Sequence, residues 1–149
     1  MGKLFEQINE DIKKTMLAKE REKLEALRAV KSAFLLAKAD NNQQDLTDDK
    51  EISIIQKLHK QRIDSAEIYK THHRQELADK ELFEASVIQQ YLPEAISSEE
   101  LETVIKNIIA EVGAKSASDL GKVIGIASKK LVGRVNNKDI ADKAKQLLH

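Results

Sequence analysis

Apolar residues recur at one-turn spacing along almost the whole chain. Over residues 3–18, Leu4, Phe5, Ile8, Ile12 and Met16 fall on one side, with Glu6, Glu10, Asp11, Lys13 and Lys14 opposite. That period predicts an amphipathic helix. Lys19-Glu20-Arg21-Glu22 has no apolar residue and predicts a turn. A second helix follows to about Asp40 on the stripe Leu24, Leu27, Val30, Phe34 and Leu35. The polar run Asn41 to Asp45 reads as a loop. Thr47 or Asp48 is placed to cap a third helix, and Asp48, Asp49 and Glu51 suit its positive end. It carries Ile52, Ile55, Leu58, Ile63, Ala66 and Tyr69 to about Thr71. A fourth begins near Arg74 and buries Leu77, Leu82, Phe83, Val87, Ile88 and Tyr91.

Leu92-Pro93 is the clearest break, because proline lacks the N–H donor and pushes its predecessor toward an extended conformation. It predicts two domains, 1–92 and 93–149. Ser97 with Glu100 forms a capping box, and Leu101, Val104, Ile105, Ile108, Ile109 and Val112 follow at helical period up to Gly113. Ser116 with Asp119 repeats the capping logic for a helix through Leu120, Val123, Ile124, Ala127 and Leu131, which Gly133 ends. Asn137 caps the last helix, with Ile140, Ala144, Leu147 and Leu148 facing inward. The expected fold is therefore all-α. It has an N-terminal bundle or long hairpin of about four helices, then a small three-helix module.

Composition agrees with this reading. Only 3% of residues are aromatic and there is one proline, so strand formers and turn punctuation are scarce. The absence of cysteine removes disulfides, thiolate metal sites and a thiol nucleophile, and suits a reducing compartment. No apolar run is long enough to cross a bilayer. The N-terminus lacks a signal-peptide core, and Glu6 stands where a myristoylation signal opened by Met1-Gly2 needs Ser or Thr. A cytoplasmic protein without a membrane partner is expected.

Charge changes the picture at one end. The formal net charge is zero, yet residues 120–149 hold Lys122, Lys129, Lys130, Arg134, Lys138, Lys143 and Lys145 against Asp139 and Asp142, an excess of +5. Such a local patch can meet phosphate even when the whole chain does not attract nucleic acid. Lys122, Lys129, Lys130, Arg134 and Lys138 are the candidate RNA contacts; basic residues in a last helical turn also serve the macrodipole alone. Gly121 and Gly125 lie inside a helix at a cost of about 1 kcal/mol each. Close approach of another helix, or of a phosphate backbone, would offset it.

Other chemistry is thin. His59, His72, His73 and His149 lack the one-turn spacing of a zinc pair, so no metal and no cofactor is expected. The Gly-Lys pair at 121–122 lacks the spacing and hydroxyl of a P-loop, and no serine sits in a nucleophile elbow. Lys57, Lys60 and Arg62 have Asp64 and Glu67 nearby and read as intrahelical ion pairs. Phe5, Phe34, Tyr69, Phe83 and Tyr91 all fall on apolar stripes, which disfavours base stacking.

Several of these segments resemble the YqeY family. They are Lys60-Gln61-Arg62 with Asp64-Ser65, Arg74-Gln75-Glu76-Leu77 leading to Lys80-Glu81 and Glu84, and Tyr91-Leu92-Pro93. Ser98-Glu99-Glu100-Leu101 follows, then Gly121-Lys122-Val123 with Gly125, then Gly133-Arg134. Their order and spacing run nearly end to end. The resemblance implies an all-helical protein whose C-terminal module is shared with the tail of GatB, a subunit of the tRNA-dependent amidotransferase. In that enzyme the tail is an accessory that engages tRNA, and amide transfer occurs elsewhere. It therefore implies a tRNA-associated module, with tRNA or a protein of the translation or tRNA-charging machinery as partner. It also carries the description of carbon–nitrogen ligase with glutamine as amido-N-donor, although the chain is expected to be non-catalytic. Where the family carries Ala-Asp-Gly after Gly133-Arg134, this chain has Val135-Asn136-Asn137, so any contact made by that acid is missing.

Three functions follow: a non-catalytic RNA-contacting accessory, a protein-interaction module that docks a helix at Gly121/Gly125, and a component of a glutamine-dependent amidotransferase.

Overall fold

A computed structural model describes residues 2–148; Met1 and His149 lie outside the described residues. Seven α-helices and one 3-10 turn account for the ordered elements, and no strand occurs among the described residues. The helices are α1 Lys3–Leu17, α2 Arg21–Asp40, α3 Asp48–Thr71, α4 Gln75–Gln89, α5 Ser98–Val112, α6 Leu120–Lys130 and α7 Asn137–Leu147. The chain divides into two compact units, Met1–Leu92 and Pro93–His149.

In the first unit α3 and α4 pack as an antiparallel hairpin, α1 lies along α2, and α2 also meets α4. The core is Ile8, Leu27, Val30, Phe34, Leu46, Ile55, Val87, Ile88 and Tyr91. Thr47 caps α3 by accepting the Lys50 N–H at 3.1 Å. Asn42 and Gln43 take left-handed backbone in the loop after α2. Three expected core positions stay in solvent: Met16, Leu35 and Phe83 are 52%, 47% and 41% exposed. Each lies at the edge of its stripe, where period alone does not say how far the neighbouring helix reaches. Arg62 departs from the intrahelical reading. It faces Glu84 of α4 at 3.9 Å, while Lys60 takes Asp64 one turn along at 2.9 Å.

The second unit wraps α5, α6 and α7 around Leu101, Ile105, Ile108, Val123, Ala127, Leu131, Ile140, Ala144 and Leu148. Ser97 caps α5 by accepting the Glu100 N–H at 3.1 Å. Gly113 ends α5 at φ 67°. Asn136, not Asn137, caps α7, accepting the Asp139 N–H at 2.8 Å. Asn137 Oδ1 accepts from Ser128 Oγ at 3.1 Å instead. The expected Ser116 cap is not made either. Ser116 pairs with Ser118, Asp119 accepts the Lys115 N–H at 3.0 Å, and a 3-10 turn over Ala117–Asp119 leads into α6.

Candidate nucleic-acid interface

The basic tail folds into α6, the turn behind it and α7. On α6 the apolar side, Val123 and Ala127, is buried against the unit's core. Rotation of about 100° per residue leaves Gly121, Gly125, Lys122 and Lys129 on the outward side. All four are exposed. A Cβ added at Gly121 or Gly125 would meet nothing within 4 Å. The close approach of another helix, expected from the cost of two mid-helix glycines, is thus not made among the described residues. Bare backbone lies open there, with an ammonium group near each end of the strip.

The five expected contacts separate into two groups. Lys122, Lys129 and Lys138 are exposed and have no ion pair among the described residues. Lys129 lies in the last turn of α6, where its charge also complements the helix dipole. Lys138 lies in the first turn of α7, where a cation opposes the dipole. Lys130 faces Glu111 of α5 at 3.7 Å, with both side chains more than half exposed. Such a pair is worth little in water and leaves the ammonium available.

Arg134 is different. Its Nε donates to the Glu94 carbonyl at 2.9 Å, and Nη2 donates to Glu100 Oε2 at 3.2 Å. Its own carbonyl accepts the Ile96 N–H at 2.9 Å. The side chain is a clasp between the turn after α6 and the segment leading into α5. Arg134 is therefore a paired and hydrogen-bonded cation, unlike Lys122, Lys129 and Lys138. Glu100 pays for this with half of the expected capping box, since its carboxylate faces Arg134 rather than the Ser97 N–H. Sequence reading missed this because the partners lie 34 positions apart.

The electrostatics of the unit are more balanced than the tail by itself. Residues 93–119 contribute Glu94, Glu99, Glu100, Glu102, Glu111 and Asp119 against Lys106 and Lys115, so the unit nets +1. Segregation matters here rather than total charge. Four of those acids lie on α5 and one opens the unit, while α6 itself holds three lysines and no acid.

The histidines do not gather. His59 sits half-buried on α3, where burial holds its imidazole below the usual value against the opposing effect of a hydrogen bond that the ring donates to Gln89. His72 and His73 are exposed at the end of α3, and His149 lies outside the described residues. No cluster of three or more His, Asp or Glu positioned to hold a metal occurs among the described residues. No helix of the described residues is long and apolar enough to cross a membrane.

A protein-family model described as "Yqey-like protein" matches residues 5–148. Two curated fungal proteins are similar, each named "Altered inheritance of mitochondria protein 41, mitochondrial". The one from Clavispora lusitaniae is 30% identical over 120 residues, which is 78% of this chain and 69% of that protein. The one from Meyerozyma guilliermondii is 27% identical over 135 residues, or 87% of this chain and 68% of that protein.

Proposed function

The chain belongs to the YqeY-like protein family, and from that premise we propose that it is a non-catalytic accessory whose C-terminal unit contacts structured RNA, tRNA above all. The proposal treats residues 1–92 as a helical domain and 93–149 as a three-helix module. The observation that carries it is the outward strip of α6. Gly121 and Gly125 leave the backbone open, and Lys122 and Lys129 beside them have no ion pair among the described residues. A phosphate backbone fits this, because bare helix admits it closely and two unpaired ammonium groups replace its counterions. Lys138 and Lys130 extend the same contact; Arg134 supports it by holding the turn. Readout is by shape and phosphate, since no aromatic residue occurs after Tyr91 to stack on a base.

The test is binding of labelled tRNA by the full chain at several salt concentrations. Lys122→Glu with Lys129→Glu weakens binding across tRNA species. It also lowers the slope of log affinity against log salt by roughly one to two. Unchanged affinity and slope in that double variant overturn the proposal. Lys138→Glu adds a smaller loss. On this reading the chain gives no group to amide transfer. Glutamine-dependent activity that appears on reconstitution with amidotransferase subunits, and vanishes on substitution in this chain, would remove the word non-catalytic.

The open glycine strip also favours a second reading, docking of a partner helix. Gly125→Leu separates the two. It blocks a helix at any salt, whereas loss that tracks the lysines and the salt belongs to phosphate. The compartment follows the partner: a cytoplasmic setting for this chain, or the mitochondrion that the relatives' names give.

A further inference from the structure

A second candidate surface lies in the N-terminal unit, where α1 hands over to α2. The chain leaves α1 at Leu17 and reverses through Ala18 and Lys19, the latter in left-handed backbone at φ 60°. It enters α2 at Arg21. Between the last turn of α1 and the first turns of α2 an open groove of about 530 Å³ forms. That volume is within the ~300–1,000 Å³ of ordinary binding pockets. Its floor includes buried Thr15 and half-buried Leu24. Met16 lines it at 52% exposure, and Leu17 beside it is 85% exposed. Among the described residues neither side chain is covered.

The charges around the groove are unequal in a way that the sequence hides. Two acids line it, and both are paired: Glu20 with Lys23 at 3.8 Å and Glu25 with Lys80 of α4 at 3.7 Å. Lys19, Arg21 and Arg28 also line it, are exposed, and have no ion pair among the described residues. The groove therefore sets apolar Met16 and Leu24 beside three cations that make no ion pair among the described residues, and its lining carries one more cation than acid. The first 92 residues carry 16 basic and 17 acidic side chains, so this excess is a local arrangement and not the drift of a basic domain.

We propose that this groove docks an acidic segment of a partner protein that presents apolar side chains at helical spacing. Charge complementarity selects the acidic character, and exposed Met16 and Leu17 select the apolar anchors. An unbranched methionine adapts to the shape of what covers it. A bilayer is a poorer fit, because a flat surface leaves a concave floor unfilled. Nucleic acid is a poorer fit as well, because phosphate gains nothing from Met16 and Leu24 and no aromatic residue lines the groove to stack a base.

The experiment uses the full chain and a fluorescein-labelled peptide of about three helical turns, with leucine at i, i+3, i+4 and i+7 and glutamate between. Anisotropy titration is expected to show saturable binding. Arg21→Glu with Arg28→Glu weakens it at least about tenfold, and so does Met16→Ser with Leu17→Ser. Peptides with Leu→Ser or Glu→Gln bind correspondingly worse. All four positions are exposed, and unchanged melting curves confirm that the variants fold; Arg21→Ala with Arg28→Ala replaces the reversal pair if they do not. No binding tighter than about 1 mM overturns the proposal. So does binding that ignores the arginine pair. Phosphatidylglycerol vesicles or an RNA oligonucleotide that bind through these residues where the peptide does not would also overturn it. Lys122→Glu with Lys129→Glu leaves peptide binding intact, so this proposal and the RNA reading fail separately.

Discussion

Tyr91 is buried in the first unit's core, yet its hydroxyl donates to Asp11 Oδ2 at 2.5 Å. Burial and then the Asp11 carboxylate push the phenol above its ordinary range. Tyr91→Phe keeps the packing and strands the acceptor, so it costs about 1–2 kcal/mol in urea unfolding. Glu51 is the more unusual side chain. It is fully buried, and neither carboxylate oxygen has a partner in good hydrogen-bond geometry among the described residues. Desolvation raises its pKa above the ordinary 4.5. The backbone N–H groups of Phe5, Leu4 and Gly2 at the start of α1 oppose that, and the Asp48 charge adds to it. A raised folded value means that the folded protein binds this proton more tightly than the unfolded chain. Stability therefore rises as pH falls from the raised value toward 4.5, and is lost as pH climbs back through it. Glu51→Gln removes this component and stabilises the chain by on the order of 1 kcal/mol at pH 7. Urea midpoints of both proteins at pH 5 and pH 7 check it: the gap between them should narrow at pH 5. The first helical turn of α3 reads in sequence as three acids serving their own helix, and only packing shows that Glu51 faces α1.

At the scale of elements, the signals that were legible are the local ones. Thr47 and Ser97 cap within three residues of themselves, and Gly113 takes left-handed backbone next to the helix it ends. Gly113→Ala isolates that backbone term, because a Cβ there meets nothing within 4 Å. The expected loss is about 1 kcal/mol, the cost of left-handed backbone for an L side chain, read as a lowered thermal midpoint. The misreadings are those in which a side chain had a choice. Asn136 and Asn137 are chemically equal candidates, and Ser128 of α6 takes the second. Glu100 could turn back to its own cap or out to Arg134, and a guanidinium anchored on the Glu94 carbonyl decides it. Removing that clasp by Arg134→Ala loosens the turn after α6. It should cost about 1 kcal/mol, after allowing for the partial exposure of the pair.

For the molecule as a whole, the apolar residues sort into two cores that share no member, one drawn from residues 4–92 and the other from 96–148. Each has its own set of packed helices, which argues for independent stability even though fewer than about 60 residues is a marginal size. A polypeptide of residues 93–149 is expected to be helical by circular dichroism and to melt cooperatively. A featureless spectrum would show that it depends on the rest of the chain. The formal charges of the two units are −1 and +1, so neither attracts nucleic acid in bulk. Both candidate surfaces come from cations left without acids, three around the α1–α2 groove and three at α6 and the start of α7.

The sequence by itself determined the helical class, the position of almost every helix and the break at Pro93. Period, caps and glycines act through neighbours a few residues away, and those neighbours are written in order along the chain. It also placed the basic excess in the last thirty residues, and carried the segments that resemble the YqeY family. Tertiary structure alone decided which of those cations are free. An acid that folding brings within about 4 Å holds a cation when the pair is partly buried and hydrogen-bonded, and only weakly when both side chains are exposed. Glu100 and Glu111 reach Arg134 and Lys130 from another helix, whereas Lys122 and Lys129 have no ion pair among the described residues. It likewise turned two costly glycines from a packing contact into an open strip, and Met16 from core into the lining of a groove. Burial depends on where the next helix stops, which no local pattern states.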